Sequence, residues 1–347
     1  MATRSNEYWE RRAQQRMATY HRQSEVVVQH IAAAYDQGQR NVLASIERIL
    51  GTYLRNSGLT PEDARRPLSE PISRREWEQI RDQYRRIKDP KMRRRLLAIL
   101  NAPAYAARIT KRQALRADML IQSKLIADAE LQLSTNAYVD TINEAYYRTI
   151  FDLHRGVGYA FEFAAIPRRT VETILKRPWS GEHYSRRIWG NTDVLAQTLA
   201  EVITGGIMSG ASIRQMRQQI EERFDVGKHA ANRLVRTETT YMANAAEMEA
   251  YEEADIDRYR FVATLDLRTS QQCRQHDNKV YLVKDARPGV NMPPLHPYCR
   301  STTIAVIDVG EEANLQRRAR DPKTGKPMLV PARMSYQEWY AKYVAEN

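Results

Sequence analysis

From Asn6 to Leu54 the chain runs almost without helix breakers, and this constrains its fold more than any other feature. Apolar residues recur there at helical spacing, at Val42/Leu43, Ile46, Ile49/Leu50 and Tyr53. The pattern predicts one or two long helices, with Gly38 as the weak point. A second periodic stretch, within 104–153, carries Leu115, Met119, Ile121, Leu125, Leu131, Tyr138, Ile142 and Tyr146. Long polar helices with narrow apolar stripes bury those stripes against one another or against a partner. An extended helical scaffold is therefore expected rather than a compact enzyme core.

Breakers punctuate the rest. Residues 55–73 collect glycine, prolines and serines and read as a linker, inside which Thr60-Pro61-Glu62-Asp63 has the form of a helix start. Residues 74–100 read as helix broken at Asp89-Pro90. The segment 166–190 packs Pro178, Trp179, Gly181, Trp189 and Gly190 close together, the mark of a junction. Helices are expected from Thr192 to Ser209, from Ser212 after a break at Gly210, and from Lys228 to Ala254. The period then changes: 258–265 and 301–307 are β-branched and aromatic and read as strands. A basic turn, PKTGKP, and a short helix at SYQEWYAKYVAEN close the chain.

Charge is unevenly placed. Residues 1–120 hold 24 Lys and Arg against 13 Asp and Glu, whereas the rest holds 30 against 29, so the net +12 is almost wholly N-terminal. Its densest part is RRIKDPKMRRR, with Arg85, Arg86, Lys88, Lys91, Arg93, Arg94 and Arg95. These cations either form a solvated helix face or meet a polyanion, a phosphate backbone or an acidic protein surface. No aromatic residue interleaves with the arginines, which argues against a stacking platform for single strands. No run of about eighteen apolar residues occurs, so a spanning helix is not expected, and the N-terminus lacks the apolar core of a secretory signal. Two cysteines do not make a disulfide framework, and folding in a reducing cytoplasm is the expectation.

Both cysteines lie between the two expected strands, in Cys273-x2-His276 and His296-x2-Cys299. Two thiols and two imidazoles are a donor set that tetrahedral zinc takes. The same residues also fit a stiff loop, with His296 packed beside Pro297, or a disulfide. Catalysis is a further reading: His276-Asp277-Asn278 with His296 would supply a base, a carboxylate and a metal ligand, or a cysteine would pair with its neighbouring histidine. Asp266, at the end of the first strand, is placed to close a turn and pair with Arg268 or Arg300. Arg236-Thr237-Glu238 offers another charged pair. No phosphate loop is present: Thr204-Gly205-Gly206 lacks the lysine that such a loop needs.

The series Leu195, Ser212, Met216, Phe224, then RLVRTETT (233–240), ATLDLRTSQQCRQHDNKVY (263–281) and PPLHPYCRS (293–301), resembles the phage Mu protein F-like head-morphogenesis family of minor head proteins. NEYWERRAQQR looks like the start of many such proteins. The resemblance implies a structural role, with few copies at the portal vertex, a part in procapsid assembly, and residence inside the head to aid DNA packaging or ejection. Some relatives carry C-terminal toxin domains, for which this chain leaves no room after its motif. The family commonly reads C-x2-C and C-x-C where this chain has Ser270, Cys273, Cys299 and Ser301. A four-thiolate zinc site is thus ruled out here. Any ion would recruit His276 and His296, while Asp266, Arg268, Thr269, Arg300 and the Pro293-Pro294 turn would hold the loop without it.

The expectation is a predominantly helical α+β protein. It has a basic, extended helical region at 1–165, a Mu F-like domain at 166–310 with a short sheet, and a tail with a short helix at 311–347. Its partners are expected to be the portal protein, the major capsid or scaffolding protein and packaged DNA, with no membrane. Its place is the virion, near the portal, after synthesis in the host cytoplasm. No cofactor is expected, zinc being the ion that the thiol segment would take. The alternative function is a metal-dependent enzyme that processes nucleic acid at the Cys/His residues.

Overall fold

A computed structural model of the chain describes residues 6–54, 68–101, 109–157, 164–209, 211–306, 316–321, 324, 326–331 and 334–345. The expected linker with its Thr60 helix start falls outside them up to residue 67, as does Gly210. The fold is predominantly helical α+β. Long helices α1 (Asn6–Leu54), α4 (Lys111–Val157), α6 (Tyr184–Met208) and α7 (Ile213–Glu253) dominate it. Shorter helices are α2 (Arg74–Arg81), α3 (Pro90–Asn101) and α5 (Arg168–Lys176). The chain forms two compact units, each discontinuous in sequence. One comprises residues 1–27, 135–183 and 233–347, and the other residues 28–134 and 184–232.

The second unit is all helical among its described residues. Tyr35, Val42 and Ile46 of α1, Leu115, Met119 and Ile126 of α4, Leu195 and Leu199 of α6, and Ile220 and Phe224 of α7 are buried in it. Gly38 does not break α1. A Cβ there would stand 2.6 Å from Ile126 Cδ1, so the glycine allows close approach of a neighbouring side chain within an unbroken helix. Gly227 acts likewise in α7, where a Cβ would meet Tyr35 Cε1 at 2.5 Å. The two helices expected from Ser212 and from Lys228 are consequently one. The break at Asp89-Pro90 is present and has a visible cause. Asp89 Oδ1 accepts from Met92 N at 2.8 Å to cap α3, while Asp128 accepts from the N–H groups of Lys88 and Asp89 at 2.9 and 3.0 Å.

In the first unit a three-stranded antiparallel sheet is built from β1 (Arg258–Val262), β2 (Val280–Leu282) and β3 (Thr302–Ala305), in the order β2-β1-β3. Tyr259 pairs with Tyr281 on one side and Ala305 on the other, and Phe261 faces Thr303. Both expected strands are present, the first ending at Val262 rather than Leu265. β2 was not foreseen, because three residues are too few to show a period of two. The basic turn joins a second hairpin, β4 (Gln316–Arg320) with β5 (Pro327–Pro331), also unforeseen. Val330 and Ala319 from that hairpin cluster with Leu265 and with Trp339 of the last helix, Tyr336–Tyr340. Ala13 of α1 packs with Val262 and Ile304.

Candidate metal centre

The thiol segment is shaped by local bonds before any distant ones. Ser270 caps a six-residue helix, α8 (Gln271–His276), its Oγ accepting from Cys273 N at 3.3 Å. The next residues return to the sheet edge: Asp277 Oδ1 accepts from Ala263 N at 2.9 Å, and Asn278 N donates to Phe261 O at 2.9 Å. Asn278 has φ 63°, a left-handed geometry that Asn tolerates. Farther on, Gly289 N bonds Pro294 O at 3.1 Å, the Pro293-Pro294 bond is cis, and Cys299 N donates to His296 O at 3.2 Å. Tyr298 between them holds φ 59°, a strained value for a bulky residue.

These turns bring three of the four Cys/His residues together. Cys273 Sγ lies 3.6 Å from Cys299 Sγ and 3.2 Å from His296 Nε2, and the three donor atoms all fall within 4.8 Å of one another. Both cysteines are buried and free. Phe261 and Ala263 wall them in, with Tyr281 and Leu295 alongside. Tetrahedral zinc, with bonds of about 2.3 Å to sulfur and about 2.0–2.1 Å to nitrogen, separates two sulfurs by roughly 3.8 Å and sulfur from nitrogen by roughly 3.6 Å. The observed spacings lie within a few tenths of an ångström of those, so the donor set fits the ion. His276 is not in the trio: its Nδ1 lies 2.7 Å from Tyr281 Oη.

Electrostatics order the trio. Cys299 accepts from Cys273 and from His296, and these bonds hold its thiol well below the usual range in spite of burial. The hydrogen bond to Cys299 and burial push the Cys273 thiol up. His296 is raised, first by its bond with Cys299, while its Nδ1 stands 2.7 Å from Pro297 O. Of the three groups Cys299 is the one favoured to lose its proton, and a bound cation would displace protons from the thiols. Burial lowers His276 instead.

A second set of contacts ties the loop to the fold. Arg300 grips Asp266 through two bonds of 2.7 and 2.8 Å, and Asp266 Oδ1 also accepts from Arg268 N at 3.0 Å and Thr269 Oγ1 at 3.2 Å. Burial raises the Asp266 carboxyl, but Arg300 outweighs it and the net shift is downward. From α7, Thr240 Oγ1 donates to Cys299 O at 2.8 Å, and Thr237 Oγ1 accepts from Tyr298 N at 3.1 Å. Glu247 accepts from Thr302 and Thr303 at 3.3 and 3.1 Å, and Glu238 from Trp179 Nε1 at 2.9 Å. Thr237, Thr240, Asn244 and Glu247 recur at three- and four-residue steps, one face of a helix. That polar stripe inside RLVRTETT and beyond was the signal for an anchoring role, which the reading of Arg236-Thr237-Glu238 as a charged pair missed.

The remaining site candidates sit elsewhere. Arg85, Arg86, Lys88, Lys91, Arg93, Arg94 and Arg95 belong to the second unit and all are exposed, while Ile87, Leu96 and Leu100 turn inward. No described helix is long and apolar enough to cross a membrane.

Comparison with known proteins adds three findings. Residues 197–304 match the family described as Phage Mu protein F like protein. An NAD(+)–arginine ADP-ribosyltransferase, EFV, of Enterococcus faecalis is 25% identical over 222 residues, which cover 59% of this chain and 43% of that protein. The chain thus matches less than half of that relative's length. No solved structure matches. The family match contains α7, β1, β2, all but the last residue of β3 and the complete thiol segment described above, so this part of the chain is similar to phage Mu F-like proteins.

Proposed function

We propose that this phage head protein is a minor capsid protein that joins the portal vertex during procapsid assembly and serves DNA packaging or ejection from inside the head. The observation that carries the reading is the Mu F-like match over 197–304. Long helices supply contact surface, and the exposed cations at 85–95 suit an acidic portal surface or packaged DNA. Major capsid or scaffolding protein would be a further neighbour during assembly. A particle reconstruction without imposed icosahedral symmetry is the test. Density for this chain beside the portal is expected; density spread over the shell, or none, would overturn the reading.

The protein acts by contact and charge rather than catalysis. The residues of the alternative, a nucleic-acid-processing metalloenzyme, are engaged in the fold: Asp277 bonds Ala263 N, Asn278 Nδ2 bonds Met334 O at 3.1 Å, and His276 faces Tyr281. The name of the Enterococcus relative suggests a different enzyme, and incubation with NAD+ and an arginine-bearing acceptor tests it. No transfer of ADP-ribose is expected, and transfer by the purified chain would refute the non-enzymatic reading.

The trio itself favours a structural ion. Cys273, His296 and Cys299 would supply three of the four ligands that zinc takes, stapling α8 to the 296–299 turn. Metal analysis of the full chain should find one zinc, lost in Cys299→Ala and kept in His276→Ala. A zinc-free chain, or equal loss in both variants, would rule the staple out.

A further inference from the structure

We propose that the first unit carries a binding site for a phosphate-class oxyanion, formed by Arg12, Gln15, Arg16, Thr19 and Tyr20 of α1 with Arg148 of α4. These residues line a half-open cleft of about 210 Å³. A water molecule takes about 30 Å³ in the liquid, so the cleft has room for a tetrahedral anion and a few waters. The five α1 residues follow helical spacing and share one face. Three guanidinium groups, an amide and two hydroxyls point to an anion, and among the described residues no carboxylate is in the lining.

The cations are held from behind. Asp152 pairs with both Arg12, at 2.5 Å, and Arg16, and Glu247 reaches Arg16 at 3.4 Å. Glu144 holds Arg148 at 2.7 Å. A fourth guanidinium, Arg22, donates to Thr19 Oγ1 at 2.8 Å. Bracing of this kind orients donors that would otherwise cost side-chain entropy to align.

Unfilled donors complete the case. Tyr20 is 0% exposed, yet among the described residues its hydroxyl has no hydrogen-bond partner, and Arg12 Nε and Arg16 Nε are buried without one there. Buried polar groups are normally paired, so residues that line this cleft keep donor capacity that their carboxylate partners do not use. Burial also raises the Tyr20 hydroxyl, which keeps it a donor at physiological pH. A tetrahedral oxyanion accepts from several directions at once, as guanidinium forks require.

The full chain, in a buffer free of phosphate and sulfate, should be titrated with inorganic phosphate by calorimetry and, separately, with a short oligonucleotide with and without a 5′-phosphate. Saturable phosphate binding is expected, weakened at least about tenfold by Arg148→Ala and severalfold by Tyr20→Phe. Arg148 is half exposed and Tyr20→Phe keeps the ring, so both variants should fold. Lys88, Arg93, Arg94 and Arg95 changed together to Ala should leave phosphate binding unaltered. Competition by only the 5′-phosphorylated strand would identify a nucleic-acid end as the source, and competition by neither strand would identify free phosphate. No saturable binding, or binding insensitive to both cleft variants, would overturn the site.

Discussion

The two units bury their acids differently. In the first, buried carboxylates face arginines: Asp152 takes Arg12 and Arg16, Glu247 takes Arg16, and Asp266 takes Arg300. In the second they face mainly neutral donors: Glu130 accepts from Tyr35 at 3.1 Å, Asp118 from Gln83 and Gln122 at 3.3 Å, and Asp128 from backbone N–H groups and Gln132. A guanidinium favours the ionised form of the acid it pairs with, although burial still raises Glu247, and loss of either partner strands a buried charge. An acid among neutral donors can escape the same cost by taking a proton, and burial pushes Glu130 up to about 7 and raises Asp118.

The sharpest break of this contrast is Asp152→Ala, which leaves Arg12 without its carboxylate and Arg16 with Glu247 alone. We expect a loss of about 3–5 kcal/mol in urea unfolding at pH 7; a loss below about 1 kcal/mol would show that the cluster is already solvated.

Next comes pH, for which Glu130 and His21 should act with opposite sign. Glu130 has a folded value near 7, above the usual carboxylate range, so its contribution is full in acid and is lost as pH rises through 7. Replacement by Gln removes that loss and should stabilise the protein by about 1–3 kcal/mol at pH 8, with little effect at pH 5. In the first unit, burial and then Arg236 bring His21 down to about 4. Its contribution is full above about 6.5 and is lost as pH falls towards 4. His21→Gln should flatten that acid limb, and an unchanged acid limb would remove His21 from the account.

A smaller effect tests the anchoring of the thiol loop. Thr240→Val keeps shape but strands Cys299 O, so a loss of about 1–3 kcal/mol is expected. Hydrogen exchange should rise at 296–300, and exchange unchanged there would show that α7 does not hold the loop. The smallest stability change belongs to Arg93, Arg94 and Arg95 replaced by Ala, each within about 0.5 kcal/mol. If this segment meets DNA phosphates, the salt slope of binding should fall by about one per residue; an unchanged slope would point to another contact.

Much of the backbone plan was legible because it is written in short-range terms. Proline at 90 cannot sit inside a helix but suits the first position of one, where it begins α3, and the β-branched runs at 258–262 and 302–305 suit a pleated surface. Gly38, like the helix start placed at Lys228 just after Gly227, misled because a glycine inside a helix reads as weakness. Its value as space for Ile126 or Tyr35 exists only once those side chains arrive from elsewhere in the chain. Helices long enough to enter both units likewise give a partition with no contiguous image in composition.

By itself the sequence determined helical periodicity, the helix stops, the strand pair around the thiol segment and the family signature, since each depends on residues near in the chain. Tertiary structure decided which side chains meet. Cys273 and His276 lie one helical turn apart in α8, yet Cys273 enters the core beside Cys299 and His296 while His276 turns to Tyr281. Spacing equips both residues equally as ligands. The core around Phe261 and Ala263, together with the grip of Thr237 and Thr240 on the 296–299 turn, selects one of them.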